Sequence, residues 1–274
     1  MAGHQRRRSR CAQIRVATHA NRKDRMAETV HLSLVLPVLN GADRLASALP
    51  SVATWMQRQP SRTELVLVDD GSGSETATLL RRFATDTPNV TVLTNGRNRG
   101  KGHTVARGML ASTGRFRVFL DSDLAYPIEE AGTVLRHLEA GADVAVACRV
   151  LPESRYLIAP TFFRYLYTRH VMSRTFNWLV RHTLLPGILD TQAGLKGFTA
   201  QAATTLFPRL TVPGFGFDLE VLYVAHRHGL RITQVPVSFR YDSEPSSLRF
   251  ARDGATMLGD LLRIRWNDWR GAYR

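Results

Sequence analysis

Residues 64–72 read Glu-Leu-Val-Leu-Val-Asp-Asp-Gly-Ser, a short apolar run that ends at two carboxylates and a glycine. Similar apolar runs recur along the chain, and they predict five β-strands: His31 to Leu36, Glu64 to Val68, Val90 to Leu93, Arg115 to Leu120 and Asp143 to Ala147. Amphipathic helices are predicted between them, near 42–57, 74–86, 101–112 and 128–140. Buried strands that alternate with helices are typical of an α/β fold, in which helices flank a mostly parallel sheet.

Polar and glycine-rich clusters follow four of the five predicted strands. They are residues 37–41, 69–72, 95–102 and 121–123. The carboxyl ends of parallel strands meet at one edge of a sheet, where open α/β sheets bind their ligands. We therefore expect the four clusters to share one site.

The composition excludes several classes of protein. The chain has 274 residues, a formal net charge of +14 and two cysteines, Cys11 and Cys148. The length allows a large core, and two cysteines outside any C-x-x-C pair argue against a disulfide framework and a structural zinc site. No apolar run approaches the ~18 residues that a membrane-spanning helix needs. We expect a reducing compartment and membrane contact from the surface alone.

The first 25 residues form a separate, strongly basic segment. Eight basic side chains and one acidic residue, Asp24, give it a charge of +7, half of the total. Its low apolar content predicts a disordered basic tail over residues 1–25. A solvated extension is the simplest interpretation, and a nucleic-acid-binding arm or an anchor to anionic lipid are the alternatives.

The clusters after the second and third strands have features of a nucleotide site. Asp69 and Asp70 stand at a sharp turn, where a carboxylate can accept the N–H groups of uracil or guanine; a turn that caps the next helix is the alternative. Residues 95–102 place Lys101 and three glycines just before a helix, where free N–H groups and positive charge suit phosphate. This segment is not a P-loop, and no G-x-G-x-x-G turn follows the first strand.

The strongest local signal is the pair Asp121 and Asp123, at the end of the fourth predicted strand. Both carboxylates can reach one hard divalent cation, which would bind phosphate oxygens and neutralise a departing diphosphate. One alternative is a phosphatase of the haloacid-dehalogenase type, but there the Asp-x-Asp pair ends the first strand. A solvated turn is the other alternative.

The order of these motifs resembles that of a known family. Pro-Val-Leu-Asn, Val-Asp-Asp-Gly-Ser, Asn-Arg-Gly-Lys-Gly and Asp-Ser-Asp are similar to the motifs of inverting glycosyltransferases of family 2, which have the GT-A fold, over roughly residues 31–148. Residues 190–198 and 216–222 resemble the branch that glycosylates polyprenyl or dolichyl phosphate, and within it the dolichyl-phosphate β-glucosyltransferases. Leu39 and Gly41 depart from the family's Pro-x-Tyr-Asn-Glu motif, so the contacts of the donor base there stay open.

The resemblance implies roles for the residues at the strand ends. The nucleotide-sugar donor would be bound by Pro37, Asn40, Asp69, Asp70, Lys101, Asp121, Ser122, Asp123 and Arg240. Asp121 and Asp123 would hold Mg²⁺ or Mn²⁺ as the cofactor. Arg149 and Arg164 resemble the arginines that bind the donor and acceptor phosphates. Arg240 occupies the place of a late basic-serine motif, although the usual Gly-Ser-Lys is absent.

Two further carboxylates, Asp190 and Asp218, are candidates for catalytic roles near the acceptor. Each can orient the attacking oxygen, hold Lys196 or a sugar hydroxyl, or act as a base if the acceptor is a hydroxyl. Asp190 is favoured because the family motif places it in the active site. Glu220 is interpreted as a surface or capping carboxylate.

A lipid phosphate acceptor would need cations more than a base, because its second pKa of about 6 leaves it largely dianionic at neutral pH. Six arginines lie between the fifth strand and Asp190, opposed only by Glu153. We hypothesise that an aromatic row within residues 161–185 enters the membrane interface; the alternative is two rows buried in a larger core. Residues 246–274 predict an amphipathic helix that either lies on a surface or packs back on the domain.

The sequence as a whole predicts an inverting glycosyltransferase, with a GT-A domain at residues 26–245. It would transfer a hexose, glucose from UDP-glucose being expected, to a polyprenyl monophosphate. The alternatives are a GDP-mannose-dependent mannosyltransferase, a family 2 enzyme with a hydroxyl acceptor, and a basic nucleic-acid-binding module, against which the acidic strand ends argue. We expect a cytoplasmic protein on the cytoplasmic face of a membrane, recruited by its own surface or by a membrane-protein partner.

Overall fold

The computed structural model describes residues 29–158, 174, 177–241 and 250–274. Within them the strands are β1 (Leu32–Val38), β2 (Thr63–Asp69), β3 (Val90–Thr94), β4 (Phe116–Leu120), β5 (Val144–Cys148), β6 (Arg155–Ile158), β7 (Leu195–Thr199), β8 (Ile232–Pro236) and β9 (Ser238–Tyr241). The α-helices are α1 (Ala42–Gln57), α2 (Ser74–Asp86), α3 (Lys101–Ala111), α4 (Glu129–Glu139), α5 (Ala200–Leu206), α6 (Phe217–Arg227) and α7 (Phe250–Trp269). Residues 177–183 are also helical.

One seven-stranded sheet has the order β3-β2-β1-β4-β7-β5-β8. Its neighbouring strands are parallel except at β7, which runs antiparallel to both β4 and β5. Strands β6 and β9 pair in parallel as a separate ribbon. The predicted α/β fold with a mostly parallel sheet is confirmed, and the five predicted strands correspond to β1–β5 with small shifts at their ends.

The reversed direction of β7 decides what lies at the carboxyl edge of the sheet. Leu195, the first residue of β7, pairs with Leu120, the last residue of β4. The residues that precede β7 therefore lie beside those that follow β4. An antiparallel strand brings its beginning to the edge where its parallel neighbours end.

The strands are apolar because helices cover both faces of the sheet. Along β1, Leu34 and Leu36 pack with α1 and α4, whereas Val35 between them packs on the other side with α3 and α6. Burial of one such side chain contributes about 1.5–3 kcal/mol. Polar side chains are consequently concentrated where the strands end.

The C-terminal helix α7 packs back on the domain along one face. Leu261 and Ile264 are buried in the core that contains α6, together with Tyr273. Glu220 in α6 is also buried, and its carboxylate accepts hydrogen bonds from Thr211 N–H (2.9 Å) and Tyr273 OH (2.6 Å). The interpretation of Glu220 as a surface or capping carboxylate is wrong, because a partner more than fifty residues away encloses it.

Some predictions concern residues outside the described part of the chain. They include the tail 1–25, Arg164 and most of the segment 161–185. Of that segment, Val180 is buried in the core and Trp178 is exposed. In the described residues, no helix has the length and apolar character to cross a membrane.

Candidate active site

The loops after β1 and β2 are joined by hydrogen bonds at the carboxyl edge of the sheet. Asn40 N–H donates to Ser72 Oγ (2.8 Å), and Gly73 N–H donates to Asn40 Oδ1 (3.0 Å). Asn40 has a φ of 59°, in the left-handed region that Asn tolerates better than most residues, so the chain turns sharply there. Pro37 lies one position before the end of β1. The structure therefore brings Pro37 and Asn40 together with the loop that follows β2.

Asp69 and Asp70 are both buried, and they hold different parts of the site. Asp69 Oδ1 accepts the N–H of Ser72 (2.9 Å), as expected of a turn. The two oxygens of Asp70 accept the N–H groups of Arg99 (2.8 Å) and Gly100 (2.9 Å). Asp70 therefore anchors the loop that leads into α3.

A further anchor of this loop, Asn95, was missed by sequence reasoning. Its Nδ2 donates to Asp70 Oδ1 (2.7 Å) and Thr104 Oγ1 (3.0 Å), and its Oδ1 accepts from Arg107 Nη1 (2.7 Å). Its place directly after β3 and before a glycine was the available signal. Asn95 ties the end of β3 to α3.

The N-terminus of α3 does not present the free N–H groups that the sequence suggested. The N–H groups of Gly102 and His103 both donate to the carbonyl of Pro213 (2.7 and 3.3 Å). Gly100 has a φ of 95°, and a Cβ on it would lie 2.5 Å from the same carbonyl oxygen. The prediction of a phosphate cradle made by these N–H groups is wrong, because a loop from much later in the chain occupies them. The side chain of Lys101 nevertheless lies beside Asp121, at the carboxyl edge of the sheet.

Lys101 extends from α3 toward the end of β4. Its Nζ lies 2.7 Å from Asp121 Oδ1 and 3.7 Å from Asp218 Oδ2. The rings of Phe215 and Phe217 lie 5.9 and 5.8 Å from the ammonium. Burial alone would lower the pKa of Lys101, but the two carboxylates outweigh it and raise the pKa above the ordinary value. The ammonium is therefore a permanent positive charge beside Asp121.

Asp121 and Asp123 flank Ser122 in the turn that follows β4. Burial, followed by the charge of Asp121, raises the pKa of Asp123 above its ordinary value. Gly194 lies against Asp121: its carbonyl accepts Asp121 N–H (3.0 Å), and a Cβ on it would lie 2.5 Å from Asp121 Cγ. In the described residues no third acidic, histidine or cysteine side chain joins them in a cluster.

The carboxylate pair at this turn fits a hard divalent cation. Carboxylate oxygens are the donors that Mg²⁺ and Mn²⁺ prefer, and a bound cation would offset the repulsion between the two side chains. With two protein carboxylates, substrate phosphate oxygens and water would supply the remaining positions, as is usual for Mg²⁺.

A second lysine extends the charge network into the interior. Lys196, the second residue of β7, is fully buried, and its ammonium donates to Asp218 and to the carbonyl of Ala193 (2.6 Å). Burial lowers the pKa of Lys196, although the charge of Asp218 opposes the change. The ring of Phe119 lies 5.4 Å from its Nζ. A chain of alternating charge thus ends at the carboxylate pair of the β4 turn, and its members are Lys196, Asp218, Lys101 and Asp121.

Asp190 and Arg149 form a two-pronged ion pair between the end of β5 and the segment before β7. Arg149 Nε donates to Asp190 Oδ2 (2.7 Å), Arg149 Nη2 donates to Oδ1 (2.9 Å), and the Arg149 N–H also reaches Oδ2 (3.1 Å). Burial would raise the pKa of Asp190, but Arg149 outweighs it and holds the pKa below the ordinary value. The carboxylate is therefore a poor proton acceptor that orients the guanidinium.

Comparison with known proteins identifies the family. The family model described as "Glycosyl transferase family 2" matches residues 33–198, more than half of the chain. The chain belongs to glycosyl transferase family 2. A dolichyl-phosphate beta-glucosyltransferase from Homo sapiens is 30% identical over 259 residues, which cover 90% of this chain and 78% of the relative. An enzyme of the same name from Dictyostelium discoideum is 28% identical over 256 residues, which cover 90% and 77%.

Solved structures of glycosyltransferases share the architecture. Glucosyl-3-phosphoglycerate synthase from Mycobacterium tuberculosis, crystallised with Mn²⁺, uridine diphosphate and glucosyl-3-phosphoglycerate, superimposes with a TM-score of 0.65. It is 19% identical, and the match covers 88% of this chain and 81% of that one. The same synthase has been crystallised with Mg²⁺ and uridine diphosphate. The likeness confirms the GT-A fold.

Arg149 is one of three arginines that were assigned from family 2 motifs, and the other two are Arg240 and Arg164. Arg240 lies in β9, and its N–H donates to the carbonyl of Ala125 (2.8 Å), two residues beyond Asp123. The structure therefore brings the backbone of Arg240 next to the turn that carries Asp121 and Asp123. Arg164 lies outside the described residues.

Proposed function

We propose that this family 2 enzyme transfers glucose, with inversion, from a nucleoside diphosphate sugar, expected to be UDP-glucose, to a polyprenyl monophosphate. Relatives named dolichyl-phosphate beta-glucosyltransferase match 90% of the chain at 28–30% identity, which supports both the sugar and the acceptor. The observation that carries the proposal is the state of Asp190 and Asp218. Both carboxylates are ion-paired, the first with Arg149 and the second with Lys196. Such carboxylates suit an acceptor that needs no general base.

On the donor side, we assign the diphosphate to the end of β4. Asp121 and Asp123 would hold Mg²⁺ or Mn²⁺, which when bound supplies positive charge to the leaving diphosphate. Lys101 adds a fixed ammonium at the same place. Since Asp70 is occupied with its own loop, Asp69 is the better candidate for the contact with the base. Pro37, Asn40, Ser122 and Arg240 complete the proposed donor site at this edge.

On the acceptor side, we assign the lipid phosphate to Arg149, with Arg164 as a second cation. Asp190 holds the guanidinium of Arg149 in one orientation before the acceptor arrives, so little side-chain freedom remains to be lost on binding. A phosphate oxygen of the acceptor attacks the anomeric carbon and forms the new C–O bond. The bond to the nucleoside diphosphate breaks, and its electron pair leaves with the diphosphate. A dianionic phosphate carries no proton that must be removed first.

The reaction would join a water-soluble donor to a membrane lipid, so we place it at a membrane surface. The cytoplasmic face, with peripheral attachment through the protein's own surface or a membrane-protein partner, is part of the proposal. Cys148, a buried free thiol, is compatible with a reducing compartment.

The test is a donor screen with and without Mn²⁺ and with polyprenyl phosphate as the acceptor. Radiolabel from UDP-glucose should pass into the butanol phase only when both Mn²⁺ and the lipid phosphate are present. The control is Asp121→Asn, which should lose this transfer. Label from GDP-mannose in butanol would instead indicate a mannosyltransferase, and a labelled water-soluble product would indicate a hydroxyl acceptor.

A further inference from the structure

Helix α7 has a second apolar face, which points away from the domain. Its inner face is already buried through Leu261 and Ile264. The opposite side exposes four large apolar side chains with fractional exposures of 49, 70, 56 and 76%: Leu258, Leu262, Trp266 and Trp269. Their spacing of four, four and three residues places them on one side of a helix. We call these four residues the outer stripe.

The charges around the outer stripe are unequal. Exposed basic side chains accompany it along α7 and the C-terminal residues: Arg265, Arg270 and Arg274. The acidic side chains that the structure describes in α7, Asp260 and Asp268, turn inward. Asp268 accepts the hydroxyl of Tyr223 (2.7 Å) and pairs with Arg227 Nε (3.1 Å), and Asp260 lies against Gly216, where a Cβ would be 2.7 Å from Asp260 Cγ. The surface that surrounds the stripe is therefore positively charged.

The chemistry of this surface matches the boundary of a lipid bilayer. The rings of Trp266 and Trp269 lie 5.1 Å apart and form one broad aromatic surface. Indole rings favour the membrane interface, where the apolar body is buried and the N–H stays near water. Arginine side chains extend along such a surface and place their charge among phosphate groups. Two tryptophans, two leucines and flanking arginines on one helix are the pattern of an interfacial helix.

We propose that the outer stripe of α7 docks the protein on a lipid surface that carries anionic headgroups. This rests on the proposed function to the extent that a polyprenyl phosphate acceptor lies in such a surface. The stripe commits the protein to one orientation, with α7 flat on the membrane.

Helix α7 is hydrogen-bonded to the segment that packs against the start of α3. Arg263 Nη2 donates to the carbonyl of Thr211 (3.0 Å), and Asn267 Nδ2 donates to Thr211 Oγ1 (2.8 Å). Two residues later, Pro213 accepts the N–H of Gly102 at the start of α3. The docking helix is therefore linked by hydrogen bonds and two residues of chain to the start of α3, where Lys101 of the proposed donor site lies.

The first test is flotation of the full-length protein with vesicles of phosphatidylcholine containing about 20% phosphatidylglycerol. The variant Leu262→Ser/Trp266→Ser/Trp269→Ser should partition about tenfold less well, because three large side chains no longer leave water. The matched control is Leu110→Ser, which removes an apolar side chain of 45% exposure from α3 and should float like the wild type. Equal flotation of all three proteins would overturn the proposal.

Fluorescence separates α7 from the basic tail, which contains no tryptophan. In a Trp178→Phe protein the remaining tryptophans are the buried Trp55 and the two of the outer stripe. Vesicles with brominated acyl chains should quench most of the emission of Trp266 and Trp269. Unquenched emission from vesicle-bound protein would place the attachment elsewhere. The stripe would instead bind a second copy of the protein if the Trp178→Phe protein is not quenched and is a dimer that the triple substitution dissociates. That result would overturn the proposal.

The activity of the triple variant distinguishes docking from the proposed function. Transfer to a short, water-soluble isoprenyl phosphate should stay within about twofold of the wild type, since the substitutions lie on the solvent side of α7. Transfer to a long-chain acceptor in vesicles should fall in parallel with flotation. Wild-type protein that is quenched by brominated lipid but glucosylates no isoprenyl phosphate would refute the function and leave the docking surface standing. Transfer to the long-chain acceptor in vesicles without quenching would support the proposed function and refute the docking surface.

Discussion

The contact between Gly194 and Asp121 allows the proposed metal site at Asp121 and Asp123 to be disturbed by one methyl group. In Gly194→Ala the new Cβ would lie 2.5 Å from Asp121 Cγ, whereas carbon atoms in contact are about 3.5–4.0 Å apart. The carboxylate must therefore retreat by at least about 1 Å. The backbone cannot relieve the clash easily, because Asp121 N–H is bonded to the Gly194 carbonyl (3.0 Å). A displacement of this size costs about 100-fold in catalysis when a group must be held in place.

The assay for Gly194→Ala is titration of Mn²⁺ by electron paramagnetic resonance, with glucosyl transfer measured in parallel. Mn²⁺ affinity should fall at least about tenfold and transfer about 100-fold, while thermal unfolding shifts by only a few degrees, since a side-chain end has to move. The matched control is Gly259→Ala in α7, where nothing lies within 4 Å of the new Cβ. It should bind Mn²⁺ normally and gain up to about 1 kcal/mol of stability. Wild-type Mn²⁺ affinity in Gly194→Ala would refute the assignment of Asp121 as a ligand.

Three other predictions concern the ion pairs of the site. The pKa of Asp190 is held below its ordinary 3.8, so its pair with Arg149 stabilises the fold above that pH and is lost as the pH falls through the lowered value. Urea unfolding of Asp190→Asn should therefore show a deficit of about 3 kcal/mol at pH 7 that shrinks toward pH 2. The acidic limb of its pH–rate profile should match that of the wild type, and a shifted or lost acidic limb would restore Asp190 as a base. Lys101→Met should slow transfer about 100- to 1,000-fold, because the positive charge proposed to lie beside the leaving diphosphate is lost. It should also tighten Mn²⁺ binding, because the ammonium no longer competes with the metal for Asp121. Weaker Mn²⁺ binding would contradict this. Lys196→Met leaves the buried carboxylate of Asp218 without the ammonium that neutralises it, and should lower the free energy of unfolding, measured by thermal unfolding, by about 3–5 kcal/mol. The double variant Lys196→Met/Asp218→Leu should recover much of that loss. Equal losses in the two variants would argue against the pairing.

The elements of the fold follow closely from the sequence, because hydrophobic periodicity reports which residues leave water. The end of β4 at Leu120 and the start of α3 at Lys101 were both predicted, and both bring their polar neighbours to one edge of the sheet. This placement needed only the rule that parallel strands end together.

The partners of the polar residues could not be predicted in the same way. Asp190 meets Arg149 across 41 positions of sequence, and Pro213 occupies N–H groups more than 100 positions earlier. Periodicity carries no information on such pairs, since it distinguishes buried from exposed residues and not one partner from another. Glu220 shows the same limit, because its burial depends on Tyr273 near the chain's end.

The position of β7 between β4 and β5 sets the distance between the two halves of the candidate site. Asp121 follows β4 and Arg149 follows β5, and one strand, β7, lies between β4 and β5. Neighbouring strands are about 4.8 Å apart, so the proposed metal ligands and the proposed acceptor arginine start roughly 10 Å from each other. Loop substitutions can exchange the groups at either end, but the separation itself belongs to the hydrogen-bonded sheet. The proposed distance between leaving group and acceptor is therefore set by the sheet, and evolution cannot change it without rebuilding the fold.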